Sequence, residues 1–333
     1  MTPPSQPGFA NGFDYEAGVT APFRMQPGLR RMAAGARHLT PLRPGSPAQR
    51  EKLAVLSAYA PGALLQAPGT DPQPALDAVC RHAAQEHPEH WAWDGRRASA
   101  RRLGVAIAGG AVEELASGAF GHGDEIGRCL RALPERWRLA GLLALTFLED
   151  LALVDGRSGH VPWMAVTLPS HWAPADKVGR HFGAIHEPVA DNRLLIGAAD
   201  GLMRLVCGPE RWERQVWTVT DHPRLHAHPA RIDPGRWGPE PASAIPALAW
   251  WRTERQTFLP VPGRDEAMFT IAVDVQPLAR AICNAGRARA LQAALASMSE
   301  AVLHYRGLAA VREPLLRWLD DVAGTDPAWP GPT

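Results

Sequence analysis

The sequence predicts an α+β fold in which a five-stranded antiparallel sheet is elaborated with helices on its N-terminal and C-terminal sides. Three observations support this prediction. Between residues 47 and 150, apolar residues recur at three- and four-residue spacing, which is typical of amphipathic helices. From residue 151 to residue 276, runs of alternating residues are typical of half-covered strands. The helical spacing returns from residue 277 to about residue 322.

The N-terminal residues 1–46 are rich in proline and glycine and contain few periodic apolar positions. We therefore expect an irregular arm that packs on the body of the protein. Residues 47–330 are expected to form a single domain. Its first half is predicted to contain four helices, of which the last is the most apolar. These helices span residues 47–60, 73–88, 123–133 and 135–150.

The strands are predicted in the second half of the chain. The first two form a hairpin across Asp155-Gly156, a dipeptide that is typical of tight hairpin turns. A helix closed by a glycine is predicted over residues 191–208, and a short Pro-Gly-Arg-Asp-Glu turn joins the last two strands. The last three strands are predicted over residues 214–221, 247–261 and 267–276.

This order, two strands, then irregular and helical material, then three strands, is the order found in PAS-type domains. The fourth strand is unusual because neither of its faces is apolar. Such a strand is either an exposed edge or part of the wall of a polar site. One face carries Trp251, Thr253, Arg255 and Thr257, and the other carries Arg252, Glu254 and Gln256.

Size and charge exclude several classes of protein. The chain has 333 residues, of which 46% are hydrophobic, so it can bury one large core or two smaller ones. Its net charge of +1, with both signs interspersed, argues against a nucleic-acid-binding protein. The longest apolar stretch, residues 139–154, is interrupted by two carboxylates and is too short to span a bilayer.

The cysteines and the N-terminus indicate the compartment. The four cysteines are scattered without a C-x-x-C spacing, which leaves a zinc knuckle, a thioredoxin-type site and a covalently attached haem unsupported. The first residues contain no basic region followed by an apolar run, so we see no signal peptide. We therefore expect a cytoplasmic protein with reduced thiols.

The segment of residues 168–190 concentrates side chains that can carry proton or metal chemistry, among them His171, His181 and His186. The five-residue spacing of the last two does not place them on one helix face, which argues against a two-histidine zinc site. A single histidine held by an irregular segment is how many haem proteins present an axial ligand. The alternative is a histidine that only satisfies a hydrogen bond.

The fourth strand provides a second set of candidates. Arg252 and Arg255 could bind carboxylates in bidentate fashion, and Glu254 could bind a cationic amine. The alternative is a solvated edge strand whose charges block the addition of another strand. Glu149 and Asp150 are a third candidate, because a buried carboxylate pair requires partners. They could equally be the polar end of a helix.

Two further patterns carry little weight. His222, His226 and His228 have a spacing that superficially resembles a metal site, but the surrounding prolines favour an ordinary loop. Ser170 lacks the G-x-S-x-G context of a hydrolase nucleophile. Serine–histidine catalysis is therefore poorly supported.

Several short motifs follow one another along the chain. They are E-D-L at 149–151, P-S-x-W-x-P-x-x-K-x-G at 169–179, I-H-x-P-V at 185–189, R-x-E-R-Q-T at 252–257, F-T-I at 269–271 and Y-R-G-L at 305–308. With these motifs in this order, roughly residues 20–315 resemble the haem-dependent oxidative N-demethylase family.

The resemblance implies a PAS-like haem domain elaborated with helices, which agrees with the strand order. It implies oxygen-dependent demethylation of a small secondary amine such as dimethylamine, which releases the primary amine and formaldehyde. The cofactor would be haem b. Electrons would reach it from NADPH through separate flavin and iron–sulfur partner subunits, since this chain has no flavin or iron–sulfur motif of its own.

The resemblance also implies roles for individual residues. One histidine is the iron ligand; we assign His186, with His181 and His171 as fallbacks. A carboxylate near the open face would bind the protonated amine, with Glu254 as the first choice and Asp150 as the second. The remaining cofactor-binding residues would be Lys177, Arg180, Arg252 and Arg255, which supply cations for the haem propionates, and Trp172.

The chain departs from the family pattern at three places. Residues 272–274 are Ala-Val-Asp where an arginine and an aromatic residue are usual. The third strand has Val-Trp where Asn-Trp is usual, and Phe258-Leu259 replace a basic residue. These departures indicate a divergent member, either with a different amine substrate or with the fold kept but without turnover. The alternative from another class is a non-catalytic PAS-like sensor that binds haem or another ligand, and a weaker one is a scaffolding relative that has lost the cofactor.

Overall fold

The computed structural model describes residues 9–115, 121–232, 237–238 and 241–324. The helices in these ranges are α1 (Tyr15–Gly18), α2 (Pro47–Ala63), α3 (Gln73–Glu86), α4 (Glu125–Ala132), α5 (Glu135–Thr146), α6 (Phe182–His186), α7 (Arg193–Gly197), α8 (Ala199–Val206), α9 (Ile245–Leu248), α10 (Leu278–Ala281), α11 (Ala285–Ala296), α12 (Glu300–Tyr305) and α13 (Arg312–Gly324). The strands are β1 (Arg30–Arg31), β2 (Leu64–Gln66), β3 (Ala92–Trp93), β4 (Arg97–Ala100), β5 (Val105–Ala108), β6 (Ala111–Glu114), β7 (Asp150–Asp155), β8 (Trp163–Ala165), β9 (Trp212–Thr220), β10 (Trp250–Pro260) and β11 (Glu266–Pro277).

Seven of the described strands form one antiparallel sheet in the order β1-β9-β10-β11-β7-β8-β2. The predicted α+β class with a large antiparallel sheet is confirmed, but the predicted number of five strands is wrong. The two additional strands, β1 and β2, lie at opposite edges and are only two and three residues long. Runs this short are too brief to show the alternation by which strands are recognised in a sequence.

A second sheet, in the order β3-β4-β5-β6, was not predicted at all. Its strands contain two to four residues each, so they too escape recognition by alternation. Ala98, Val105 and Ile107 from this sheet are buried in the same apolar cluster as Leu76 of α3 and Leu143 of α5. The small sheet is therefore part of the core that the N-terminal helices build.

The predicted N-terminal helices are present with small changes at their ends. Helix α2 begins where expected because Ser46 caps it, accepting a hydrogen bond from the backbone N–H of Gln49, and because Pro47 suits the first helical position. Helix α5 ends at Thr146, earlier than predicted, because the chain becomes strand β7 at Asp150. The single helix predicted over residues 191–208 is divided at Ala198 into α7 and α8.

The predicted hairpin also differs in its turn. Strands β7 and β8 do pair, but their last paired residues are Leu153 and Trp163, so the connection is longer than a two-residue turn. Asp155 organises the start of this loop, accepting hydrogen bonds from the backbone N–H of Arg157 at 2.9 Å and the hydroxyl of Ser158 at 2.6 Å. Its side chain thus caps a local turn rather than a tight hairpin.

Strand β10 is interior. It pairs with β9 on one side and with β11 on the other, and residues 251–259 are all buried. The interpretation of this strand as an exposed edge is therefore wrong. The alternation predicted from the sequence is nevertheless kept. We call the side of the sheet that carries Glu254 and Gln256 the Glu254 face, and the side that carries Thr253, Arg255 and Thr257 the Arg255 face.

The N-terminal residues from Phe9 onward pack against the body. The amide of Asn11 donates to the carbonyl oxygen of Ala272 at 2.9 Å and to the hydroxyl of Thr253 at 3.1 Å, which fixes this segment on the Arg255 face. Phe9 and Tyr15 join an apolar cluster with the C-terminal helices. None of the helices in the described ranges has the length and apolar character needed to cross a membrane.

Candidate functional site

The candidate site is on the Glu254 face. Cross-strand partners in a sheet point to the same side, so the register determines which residues share this face. Gln256 of β10 lies opposite Arg214 of β9 and opposite Ile271 of β11, and Ile271 in turn lies opposite Asp150 of β7. A polar strip of one cation, one amide and one carboxylate thus crosses β9 and β10, beside an apolar surface on β11.

His186 ends helix α6 and is half-buried. Its Nδ1 lies 2.9 Å from the carbonyl oxygen of Phe182, a contact that only a protonated nitrogen can make favourably. The Nε2 atom is therefore the unprotonated one, and it has no hydrogen-bond partner among the described residues. Burial, together with the nearby charges of Arg214 and Lys177, lowers the pKa of His186 to about 4. At neutral pH the side chain is a neutral imidazole with a free lone pair, the form that binds metals.

The two fallback histidines are in different situations. His181 caps α6: its Nδ1 accepts from the backbone N–H of Gly183 at 3.1 Å, and its Nε2 lies 3.1 Å from a carboxylate oxygen of Asp200. Both of its ring nitrogens are thus engaged. His171 is exposed, has a positive φ of 62° and contacts the ring of His222.

Arg252 and Arg255 point to opposite faces of the sheet. The Arg252 guanidinium is buried on the Glu254 face and donates to Ser170 Oγ at 2.8 Å and to the carbonyl oxygens of Leu225 at 2.7 Å and Pro169 at 3.1 Å. Burial lowers its pKa to about 10. On the Arg255 face, Arg255 donates twice to Glu213 Oε2, at 3.0 and 2.9 Å. The structure does not bring Arg255 to the same side as Glu254.

Lys177, Arg180 and Trp172 lie on the same segment as His186. Lys177 donates from Nζ to the carbonyl oxygen of Ile185 at 3.0 Å, one residue before His186, and burial lowers its pKa. Arg180 is exposed, with a single contact to a backbone oxygen at 3.3 Å. Trp172 is half-buried and packs against the apolar residues that cover this face.

The two candidate carboxylates differ in how much of their bonding capacity is used. Glu254 is only 7% exposed, and its Oε2 accepts from the amide of Gln256 at 2.6 Å. Asp150 is fully engaged: its Oδ1 accepts from Lys52 Nζ at 3.0 Å and from the hydroxyl of Thr167 at 2.6 Å, and its Oδ2 accepts from the backbone N–H of Leu168 at 2.6 Å. Asp150 therefore joins α2, β7 and the following loop.

Arg214 is the residue of this site that the sequence interpretation missed. Its Nε is shielded from solvent and has no hydrogen-bond partner among the described residues, although part of the side chain remains accessible. Burial lowers its pKa, and the charge of Glu254 partly opposes this effect. No local pattern in the sequence marks it, because only the register of β9 against β10 sets it diagonal to Glu254. Tyr305 is also near Glu254, whose charge adds to burial in raising the pKa of the tyrosine.

The other histidine cluster does not form a metal site in the part of the chain that the structure describes, where no group of three or more His, Cys, Asp or Glu side chains has a suitable arrangement. Nδ1 of His226 contacts the carbonyl oxygen of Thr167 at 2.7 Å, and Nδ1 of His228 accepts from the backbone N–H of Ala230 at 3.1 Å. These residues stabilise a loop, as the prolines around them indicate.

Comparison with protein families agrees with the motifs. The sequence model of a family described as "haem-dependent oxidative N-demethylase, alpha subunit-like" matches residues 75–316. The chain belongs to this family. No curated protein sequence matches the chain significantly. This match confirms the resemblance that the motifs indicate. The description of the family names haem as the group on which its members depend.

The residues present fit a haem. His186 offers a neutral imidazole whose Nε2 is free of any hydrogen bond to described residues. On the neighbouring sheet face, Arg214 Nε and Gln256 Oε1 are buried polar atoms without a described partner, which is costly unless a bound group satisfies them. Helix α7, which packs beside α6, exposes Leu194 and Ile196 at 56% and 41%, so apolar surface is available for a porphyrin.

Proposed function

We propose that this protein is the haem-binding oxygenase subunit of an oxidative N-demethylase that acts on a small methylated amine. The overall reaction consumes the methylated amine, O2, two electrons and two protons, and yields the demethylated amine, formaldehyde and water. The observation that carries the proposal is His186, held as a neutral imidazole with a free Nε2 next to a buried polar strip. When bound, the haem would supply the activation of dioxygen.

We also propose that residues 47–330 form one PAS-like domain. Without the edge strands β1 and β2, the large sheet has the order β9-β10-β11-β7-β8, which is the third, fourth, fifth, first and second of these strands along the chain. Helices α6, α7 and α8 are inserted between the second and third of these. This order supports the PAS-like interpretation, with β1 and β2 as additions at the edges.

The residues of the segment 168–190 would hold the haem. We assign the iron to His186 Nε2, the propionates to Lys177 and Arg180, and one porphyrin face to Trp172. Lys177 and Arg180 suit this role because the side chain of each donates to only one backbone oxygen among the described residues and keeps other N–H donors. Their cations would screen the propionates as these enter the protein.

Glu254 would bind and orient the protonated amine. It is buried, and one of its oxygens is held by Gln256, so its position is defined before substrate arrives. Asp150, Arg252 and Arg255 would contribute indirectly, because their polar atoms are engaged by the protein itself. We assign them to the support of β10 and the loops around the site.

Electrons would come from partner subunits, for which we propose a chain from NADPH through flavin and iron–sulfur proteins. The description of the family as an alpha subunit supports an assembly of several chains. The alternative function is a PAS-like sensor that binds haem or another ligand without turnover. The loss of the usual arginine and aromatic residue at residues 272–274 favours it.

The decisive experiment is an absorption spectrum of the protein from haem-replete cells in both redox states, followed by a formaldehyde assay with methylated amines and a reductant. A Soret band that is lost or shifted in His186→Ala, but not in the exposed-histidine control His122→Ala, supports the ligand assignment. A colourless native protein contradicts the proposal. A haem spectrum without formaldehyde release with any methylated amine favours the sensor instead.

A further inference from the structure

Arg214 and Glu254 are oppositely charged neighbours that do not form an ion pair. Glu254 lies opposite Val216, so Arg214, two residues earlier on β9, is its diagonal neighbour. Diagonal Cα atoms in a sheet are about 7–8 Å apart, within reach of a long side chain. Yet no contact within 4 Å joins the two side chains, as judged from the described residues, and Arg214 Nε has no partner there.

The same two strands contain an internal control. Arg255 lies opposite Gln215, and Glu213 is two residues earlier on β9, so Arg255 and Glu213 have the same diagonal relation on the other face. These two side chains do close the ion pair, at 2.9 Å. The backbone geometry of β9 and β10 therefore permits such a bridge. The two diagonals have the same sequence relation, although consecutive pairs of an antiparallel ladder alternate in spacing.

A buried carboxylate and a partly buried guanidinium that do not pair with each other are costly unless a bound molecule contacts both. Glu254 would attract a protonated amine, and Arg214 would attract an anion, most favourably a carboxylate. A small zwitterion carries both charges in one molecule, and each would make a charge-assisted hydrogen bond of about 2.8 Å to its side chain.

We propose that the substrate is a zwitterion, an N-methylated amino acid such as N,N-dimethylglycine, with its ammonium on Glu254 and its carboxylate on Arg214. This inference rests on the proposed demethylase function and narrows its substrate class. The methyl group still leaves as formaldehyde, and the product is the amino acid with one methyl fewer. Arg214 is then a specificity-determining residue that a plain dialkylamine does not use.

The test needs no mutation at first. Calorimetric titration of the purified protein with N,N-dimethylglycine, its methyl ester and dimethylamine compares a methylated amine that carries a carboxylate with one whose carboxylate is esterified and one that has none. We expect N,N-dimethylglycine to bind about 10- to 100-fold more tightly than the other two, the effect of one charge-assisted hydrogen-bonded contact. Equal or weaker binding of N,N-dimethylglycine would overturn the inference.

Variants then identify the contact. Arg214→Gln should lower the affinity for N,N-dimethylglycine to that for its methyl ester, whereas the exposed control Arg193→Gln should keep the native preference. Arg214→Lys, which keeps the charge, should keep part of the preference. If Arg214→Gln instead lowers the haem content, or weakens all three ligands equally, Arg214 serves the cofactor or the fold and the inference is wrong.

The two levels of the hypothesis fail in distinguishable ways. A protein without haem or without formaldehyde release contradicts the demethylase function, but calorimetry can still detect a zwitterion-binding site. A protein that demethylates dimethylamine and ignores the carboxylate of N,N-dimethylglycine supports the function and eliminates the substrate class.

Discussion

The two faces of strands β9 and β10 differ in how their charged residues are paired. On the Arg255 face, Arg255 donates to Glu213 and to the carbonyl oxygen of Arg37. On the Glu254 face, Arg214 lies diagonal to Glu254 and the two side chains form no ion pair. The Arg255 face also contains a chain of hydrogen bonds, from His38 Nδ1 to Thr257 Oγ1 at 2.9 Å and from Thr257 Oγ1 to Thr270 Oγ1 at 2.6 Å. Arg255 and Glu213 are therefore satisfied by the protein, although the side-chain amide of Gln215 and Nε1 of Trp251 on the same face have no described partner.

The difference between the faces separates stability from binding. A buried charge that has its partner contributes to the fold, whereas a buried charge without a partner is costly unless another molecule supplies one. The Arg255 face is covered by the N-terminal segment, and the Glu254 face by the segment that presents His186. A charged side chain in a buried strand therefore indicates a binding site only when it has no partner within the protein.

The largest loss of stability is expected when the most buried ion pair, between Lys52 and Asp150, is broken. Lys52 and Asp150 are 0% and 1% exposed and 3.0 Å apart. Lys52→Met should lower the free energy of unfolding by about 3–5 kcal/mol, because it leaves a buried carboxylate without its cation. Urea denaturation followed by far-UV circular dichroism measures this. A loss below about 1 kcal/mol would mean that the pair behaves like a surface ion pair.

The comparison of the two faces is tested most directly by matched arginine substitutions. Arg255→Met should cost about 3 kcal/mol, the low end for a broken buried pair, because Arg30 still donates to Glu213. Without ligand, Arg214→Met should change the stability by less than about 1 kcal/mol or increase it, since it removes a buried cation that has no closed ion pair. Equal losses in the two variants, measured by the same denaturation series, would remove the distinction between the faces.

A smaller, pH-dependent effect is expected at Glu149. Burial raises the pKa of its carboxyl group to about 7, while the backbone N–H of Thr40 donates to it and opposes this shift. The folded state then binds this proton more tightly than the unfolded state, so the stability from this group is fully present below about pH 4.5 and is lost as pH rises towards 7. The loss between pH 5 and pH 7 should be about 2 kcal/mol.

Glu149→Gln should remove this component and flatten the stability profile between pH 5 and pH 7. Glu86 provides the opposite sign for comparison: hydrogen bonds from His82 and from the backbone N–H groups of His38 and Leu39 outweigh its burial and lower its pKa to about 2. Its contribution is therefore lost only as pH falls from about 4.5 towards 2. An unchanged slope in Glu149→Gln above pH 5 would show that another group titrates there.

The sequence predicted the long elements and the faces of β10. Helices α2, α3 and α5 and strands β9, β10 and β11 are long enough for their periodicity to be recognised. The alternation of Glu254 and Arg255 between opposite faces was also predictable, because it depends only on the extended backbone. Strands of two to four residues carry no such signal, which is why β1 to β6 were missed.

The partners of the polar residues could not be predicted. Lys52 and Asp150 are 98 residues apart in the sequence, and Arg255 and Glu213 are 42 apart. Whether a charged side chain forms an ion pair within the protein therefore depends on tertiary packing and not on the local sequence pattern. Arg214 could be found only once the register of β9 against β10 was known, because that register sets it diagonal to Glu254.

Arg252 attaches strand β10 to the two loops around the site mainly through main-chain oxygens. Apart from Ser170 Oγ, its acceptors are main-chain carbonyl oxygens of the loops on either side of the Glu254 face. Main-chain acceptors are present whatever the side chain, so mutations in these two loops leave the attachment intact. The loops can thus acquire new side chains, and with them new ligand preferences, while the strand beneath keeps its place.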